Sequence, residues 1–318
     1  MEKAQGDTKR GGGQSWEDIA NEIAPAGARP GGLATGARRG PPLRHGSDLE
    51  SRLPEASAHP RFDQKTLRVI PCPPCRPDAP FDEVLGGAEC VSPRHGAYYA
   101  IQRPAIAYDA HFDSLAARLR CVLQDAPVPA LAGARAEDLL FLDIETTGLS
   151  SDGPLFLVGT LAIDGRDGQA HIEILLARDL SEECALLAAF HARAQGKTLI
   201  TFNGKAFDWP YIERRTQKHR LSLHQPRTHF DLLYHARRVW KQRHALPDCK
   251  LQTLEMHLCR RGRRDDVPSA RIPERYHQFV ETRAVSSNAA HLLVPIVHHN
   301  ALDVLTLAEL LCLTREIA

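Results

Sequence analysis

The sequence predicts an α/β fold: a mixed sheet, with a three-stranded antiparallel meander plus parallel strands, flanked by helices. Three observations predict it. LLFLDIE at 139–145 is a short, almost wholly apolar run, as a buried central strand requires. LFLVGTLAID and AHIEILLA follow on either side of the turn-forming DGRDG, so the three runs pair as a meander. Beyond them strand-like TLITFN alternates with helical segments, the pattern that lays helices on the faces of a sheet.

Taken in chain order, residues 1–66 are rich in Gly, Arg, Pro and Ala and poor in large apolar side chains. Such a stretch cannot bury enough surface to offset its chain entropy, so it reads as a disordered tail. Within it, Trp16, Ile19 and Ile23 of WEDIANEIA recur at helical spacing, as a transient helix or a docking peptide. Residues 67–135 read as a small accessory segment or lobe, or a strand-bearing extension packed on the main domain. AYYAIQRPAIAY is rich in β-formers but interrupted by Pro104, and HFDSLAARLRCVLQ has helical periodicity. The main domain spans 136–318. Ser181 is read as the cap of the helix SEECALLAAFHARA, with a following Glu in a capping box. AFDWPYIERRTQKH begins another helix, THFDLLYHARRVWKQR is a helix with apolar and basic faces, and SNAAHLLVPIVHHNALDVLTLAELLCLTREI closes as one or two long helices.

The formal net charge is +1, so any attraction for nucleic acid must come from local patches. No run approaches the roughly 18 consecutive apolar residues of a membrane span, and no membrane association is expected. MEKAQGDTKR lacks the apolar stretch of a secretory signal. Eight scattered cysteines do not form a disulfide framework, and a reducing cytoplasm is the expected setting.

The chemistry concentrates in carboxylates. Asp143 and Glu145 lie two apart in the first strand, and the strand period of two sends both to one face. Two carboxylates at the end of a buried strand repel unless something neutralises them, and hard oxygen ligands suit Mg²⁺ or Mn²⁺. Asp208 follows the strand TLITFN in FNGKAFDWP, at the first turn of the next helix. Asp303 sits on the last helix among apolar Val304, Leu307 and Leu311, where a lone carboxylate is costly unless paired or metal-bound. His299 precedes Asp303 by four residues, on the same helix face, where a neutral imidazole can accept a proton from metal-bound water. Each piece alone has an ordinary structural explanation; their joint occurrence, in order and on these elements, does not.

Together these residues resemble the DEDD superfamily of 3′→5′ exonucleases, which has the ribonuclease H-like fold. FLDIETTGL is similar to the first exonuclease motif, FNGKAFD to the second and HHNALDVLTL to the third. FDLLYHARRVWKQR…CKLQTLE is similar to a bacterial ribonuclease H-like family of predicted exonucleases. The resemblance covers about residues 138–318. It implies that Asp143, Glu145, Asp208 and Asp303 hold two Mg²⁺ or Mn²⁺ ions, ~4 Å apart, that clamp the scissile phosphate. It implies a single-stranded or frayed DNA or RNA substrate, nucleoside 5′-monophosphate products, and a His assisting from the third motif. His299 is favoured in that role, with His298 the rival, because HN..DV matches the register that places a Tyr four residues before the last Asp. Thr147, Gly148 and Leu149 would contact the terminal nucleotide, unless they are a plain strand-end turn. Asn203 would bind substrate or cap the following helix, the cap being favoured, and Asp231 would support the site or cap its own helix. A structure-specific endonuclease with the same metals, and a binding module with an inactive site, are the alternatives.

Three basic clusters read as a phosphate track or as solvated faces: Arg214, Arg215, Lys218 and Arg220; Arg237, Arg238, Lys241 and Arg243; and Arg260, Arg261, Arg263 and Arg264. Arg10, Arg29, Arg38 and Arg39 of the tail would add non-specific attraction. Cys72 and Cys75 form CPPC, and a zinc site there would need Cys90 and His95 as its remaining ligands.

Overall fold

The computed structural model describes residues 67–77, 79–124, 128–148, 153–285 and 289–314. The tail, with its WEDIANEIA segment and arginines, and Leu149 lie outside the described residues. The strands, in chain order, are β1 (Arg68–Pro71), β2 (Ala88–Ser92), β3 (Gly96–Pro104), β4 (Leu139–Thr146), β5 (Leu155–Ile163), β6 (Ala170–Leu176), β7 (Thr198–Thr201), β8 (Thr228–Asp231) and β9 (Arg261–Arg264). Seven of them form one sheet in the order β2-β3-β6-β5-β4-β7-β8, and β1 pairs with β9 in a separate two-stranded sheet.

The apolar run at 139–145 is β4, between β5 and β7. Antiparallel β5 and parallel β7 make it a central strand, and the helices packed on it explain its apolar run. The meander β4-β5-β6 forms as the turn at DGRDG predicts. The sheet does not end there: β3 pairs antiparallel with β6, and β2 with β3. Pro104, which lacks a ladder donor, stands at the last position of β3, where it ends the strand rather than interrupting it. Beyond β4 the ladder becomes parallel through β7 and β8.

The helices that matter for the site are α1 (Leu115–Gln124), α2 (Glu183–Ala194), α3 (Asp208–Lys218), α4 (Leu251–His257), α5 (Ile272–Val285) and α6 (Val294–Leu313). Helix α6 lies on β4 and β5 and also packs on α1 and α4. It is long and apolar enough by composition to cross a membrane, but it is buried along nearly its whole length, and its composition is that of a core helix. One hydrophobic core joins residues from Ile70 to Cys312. All eight cysteines are free.

Two expected helix starts need correction. Asp179, not Ser181, caps the segment leading into α2: its carboxylate accepts from the Ser181 amide at 2.9 Å, and a 3₁₀ turn at Leu180–Glu182 precedes the α-helix. Asp179 has the extended backbone a cap needs, and its carboxylate reaches the amide two residues on. THFDLLYHARRVWKQR is not one helix either. Its first four residues are β8, and the rest is a helical run with a π turn at Ala236–Trp240.

Candidate active site and metal centre

β4 presents Asp143 and Glu145 on one face, and a register shift in the β4–β5 ladder follows Glu145. Across from Asp143 stands Gly159 of β5. Glycine is required there by a close approach: a Cβ would lie 1.6 Å from Oδ1 of Asn300 on α6. The space lets Asn300 reach the strand, and its Nδ2 donates to Asp143 Oδ2 at 2.7 Å.

The second motif is a turn between β7 and α3. Gly204 packs against Thr201 so closely that a Cβ would sit 2.4 Å from the threonine Cβ, and Asn203 takes the left-handed conformation at φ 64°. The favoured cap role of Asn203 is not seen: Phe207 is the cap position, without a side-chain bond, and the Asn203 carbonyl accepts from the Ala206 and Phe207 amides. The positive φ turns that carbonyl into the loop, so the backbone closes the turn. Asp231, buried at the end of β8, accepts from the amides of Asn203 (2.8 Å), Lys205 (3.0 Å) and Leu233 (3.0 Å). It therefore caps its own helix and pins the motif loop. Asp208, buried, is the first residue of α3. Thr147 closes the β4–β5 connection through its amide and hydroxyl to the Pro154 carbonyl, and the Gly148 carbonyl accepts from the Thr146 hydroxyl.

Helix α6 brings Asp303 and His299 one turn apart, with His299 Nε2 3.4 Å from Asp303 Oδ2. His299 Nδ1 faces Asp266, 2.9 Å from Oδ2. Arg263 of β9 reaches in beside them: Nη2 donates to Asp303 Oδ1 at 2.6 Å, Nη1 to Asp266 Oδ2 at 3.3 Å and Nε to Glu255 Oε2 at 2.7 Å. His298 turns elsewhere. Its ring stacks near Tyr108, its Nε2 is buried without a hydrogen-bond partner, and burial pushes its pKa down to about 4.

Burial first, then the neighbouring Asp303, Glu145 and Asp208, push the Asp143 carboxyl well above the usual carboxylate range. Burial raises Glu145 to about 8, with Asp303 and Asp208 adding to the rise and His299 and Asn300 opposing it. Asp208 goes up to about 7, through burial and the charges of Asp231 and Asp303, against the backbone amides of Asp208 and Ile144. Burial opposes charge on His299, but Asp303, Asp266 and Glu145 outweigh it and raise the imidazole to about 9. The structure thus brings all four motif carboxylates into one group of hard oxygens, in which burial and neighbouring carboxylates raise Asp143, Glu145 and Asp208 although Arg263 and His299 stand beside Asp303. That donor set fits Mg²⁺ or Mn²⁺.

Gly159, Asn300, Arg263 and Asp266 are absent from the motif reading. Asn300 lay inside HHNALD, three residues before Asp303 on the same face of α6, and that spacing was its available signal. Arg263 and Asp266 are joined to the site only by tertiary packing. The third basic cluster is accordingly not a surface track as a unit: strand alternation buries Arg261 and Arg263 and leaves Arg264 exposed. Arg215 also turns inward, to a buried pair with Glu183 at 2.5 Å. Arg214, Lys218, Arg220, Arg237, Arg238, Lys241 and Arg243 are exposed. The CPPC zinc ligands have separate neighbours: Cys75 donates to the His291 carbonyl, Cys90 to the Ala88 carbonyl, and His95 lies 3.9 Å from Cys184 Sγ. A further group, Asp164, Asp167 and His171, gathers its ligand atoms within 4.8 Å on the β5–β6 turn. Its carboxylates accept from the Arg166 and Gln169 amides, as turn residues do.

Residues 140–314 match the family RNase_H_2, described as RNase_H superfamily. The chain belongs to the RNase_H superfamily. Membership supports a nuclease acting on nucleic acid with divalent metal. YprB of Bacillus subtilis (strain 168) is 33% identical over 182 residues, which are 56% of this chain and 42% of that protein, so the chain spans less than half of its relative. A solved structure described as the zinc-bound form of the E. coli ExoI–ssDNA complex matches with a TM-score of 0.29 and 15% identity, over 49% of this chain and 42% of that one. A TM-score that low leaves the likeness without weight here.

Proposed function

We propose that the protein is a divalent-metal-dependent 3′→5′ exonuclease that hydrolyses phosphodiester bonds of single-stranded or frayed DNA or RNA. One observation carries the reading: four carboxylates from three separate elements, Asp143 and Glu145 on β4, Asp208 on α3 and Asp303 on α6, crowd together, and the charge of Asp303 helps push Asp143, Glu145 and Asp208 above the usual carboxylate range. A fold that needed only stability would not assemble them, because each like charge in a buried site costs free energy.

Asp143, Glu145, Asp208 and Asp303 would hold two Mg²⁺ or Mn²⁺ ions. When bound, the ions supply Lewis-acid stabilisation of the attacking and leaving oxygens. Asn300 holds Asp143 in orientation through its Nδ2. The charges of Asp303 and Glu145 that raise His299 would be neutralised by the cations they hold, and the imidazole beside Asp303 could then take the proton of the attacking water. Water attacks phosphorus, the bond from phosphorus to the 3′-oxygen breaks, and that oxygen leaves with a proton; the released nucleotide keeps its 5′-phosphate. Thr147 and Gly148 at the end of β4, with Leu149 and Asn203, would contact the terminal nucleotide. The exposed Arg214, Lys218 and Arg220 offer charge to the phosphates behind it.

The test is cleavage of end-labelled single-stranded DNA and RNA with Mn²⁺, beside Asp143→Ala. The expected outcome is a ladder of shortened products from 5′-labelled substrate, with labelled mononucleotide from 3′-labelled substrate, both lost in the variant. Internal fragments as first products would point to the endonuclease instead, and no cleavage of either substrate in protein shown by calorimetry to bind Mn²⁺ would leave a nucleic-acid-binding module.

A further inference from the structure

We propose that Asp266, on the loop leaving β9, is a positioning residue for the reaction: it fixes the His299 ring so that Nε2 faces the carboxylate group. The nuclease reading above supplies the reaction it serves; the geometry stands by itself. Both Asp266 oxygens lie within hydrogen-bond distance of His299 Nδ1, at 3.0 and 2.9 Å. The ring is almost fully enclosed, with its side chain 3% exposed. Once Nδ1 is committed to a carboxylate, the opposite nitrogen can point only one way, and Nε2 lies 3.4 Å from Asp303 Oδ2 and 3.3 Å from Ser269 Oγ. A carboxylate behind an imidazole sets its tautomer and orientation, because the rotation about the ring's own bond is otherwise soft.

Asp266 is itself held. Arg263 donates to its Oδ2 while donating to Asp303 Oδ1 through the other arm of the same guanidinium. One rigid fork therefore spans the two carboxylates that bracket the imidazole, so Asp266, His299 and Asp303 form a closed unit. The carboxylate arrives from an element far in sequence from all three motifs, through a strand whose position depends on its parallel pairing with β1.

The experiment compares wild type, Asp266→Ala, Asp266→Asn, His299→Ala and the Asp266→Ala/His299→Ala double variant, in full-length protein. The readouts are kcat and KM on single-stranded substrate with Mn²⁺, the thermal midpoint, and the slowly exchanging downfield Nδ1–H proton of His299 by NMR. That proton is assigned by its disappearance in His299→Ala. Asp266→Ala is expected to lower kcat about 10- to 100-fold with little change in KM. Asn, which keeps an acceptor oxygen, should recover part of it, and the loss should vanish when His299 is already absent. The Nδ1–H signal should be present in wild type and lost in Asp266→Ala.

Losses that multiply in the double variant, an effect on KM alone, or an unchanged Nδ1–H signal in Asp266→Ala would each overturn the proposal. If wild type cleaves nothing, the nuclease reading fails on that result. The Nδ1–H signal still decides whether Asp266 fixes the ring.

Discussion

A single missing methyl group sets the geometry around Asp143. Gly159 leaves the gap through which Asn300 donates to that carboxylate, and a Cβ there would overlap the amide oxygen at 1.6 Å. Gly159→Ala must therefore displace Asn300 or bend β5. Overpacking of this kind costs about 1–3 kcal/mol, so urea denaturation should show a lower midpoint for Gly159→Ala. Cleavage should fall with it, because Asp143 loses its partner. Adding Asn300→Ala should restore most of the stability but not the activity, and a double variant no more stable than Gly159→Ala would contradict the clash. The requirement was invisible in LFLVGTLAID, where glycine reads as a weak spot in a strand. That His299 rather than His298 shares a face with Asp303 was legible, since four-residue spacing puts 299 and not 298 there. What separates them physically, Tyr108 on one side and Asp266 on the other, comes from elements far away in the chain.

The pair β1–β9 shows the same limit at the scale of an element. RGRR has poor strand propensity, so its arginines read as a solvated cluster. Pairing with β1 makes it a strand, and alternation then drives Arg261 and Arg263 inward. Arg261 is fully buried; Nε donates to Glu255 Oε1 at 2.5 Å, Nη1 to Glu309 Oε2 at 2.7 Å, and Nη2 to the Thr306 hydroxyl. Breaking a buried pair by removing one partner costs about 3–5 kcal/mol, because the other charge stays behind. Glu255 retains Arg263, and Glu309 retains Arg68 at 2.8 Å, which offsets part of that. Arg261→Met is therefore expected to lose about 2–4 kcal/mol in denaturant unfolding. Adding Glu309→Gln should recover some of it, and a single variant within about 0.5 kcal/mol of wild type would show that the network is not stabilising. The meander, by contrast, was legible throughout, because apolar runs and a turn signal suffice for local antiparallel pairing. β3 and β2 were harder to place, since nothing in AYYAIQRP names β6 as its neighbour.

Across the whole molecule the three motif segments were readable because each is local and their joint chemistry is specific, whereas the charge balance of the assembled site emerges only in three dimensions. That balance has a sign that stability can report. Glu145 and Asp208 are raised to about 8 and about 7, above their unfolded values near 4, so the metal-free native state binds more protons than the unfolded chain across that window. Stability must then fall as pH rises through it. His299 acts in the same direction: its raised pKa of about 9 contributes stability below the unfolded value near 6.5 that is lost as pH climbs through 9. Buried neutral His191 and His298, both lowered to about 4, act oppositely, and their contribution disappears as pH falls from about 6.5 to 4. In the interval from about 6.5 to 8, Glu145, Asp208 and His299 therefore all lower stability as pH rises, and the buried neutral histidines no longer oppose them. In EDTA the thermal midpoint should drop across it, and Asp143→Asn should flatten the drop by removing one of the repelling charges. Divalent cations bind the ionised carboxylates, so Mg²⁺ or Mn²⁺ should raise the midpoint more at pH 8 than at pH 6.5. A midpoint that rises with pH in EDTA, or a metal-induced shift of equal size at both pH values, would mean that these four carboxylates do not share one site.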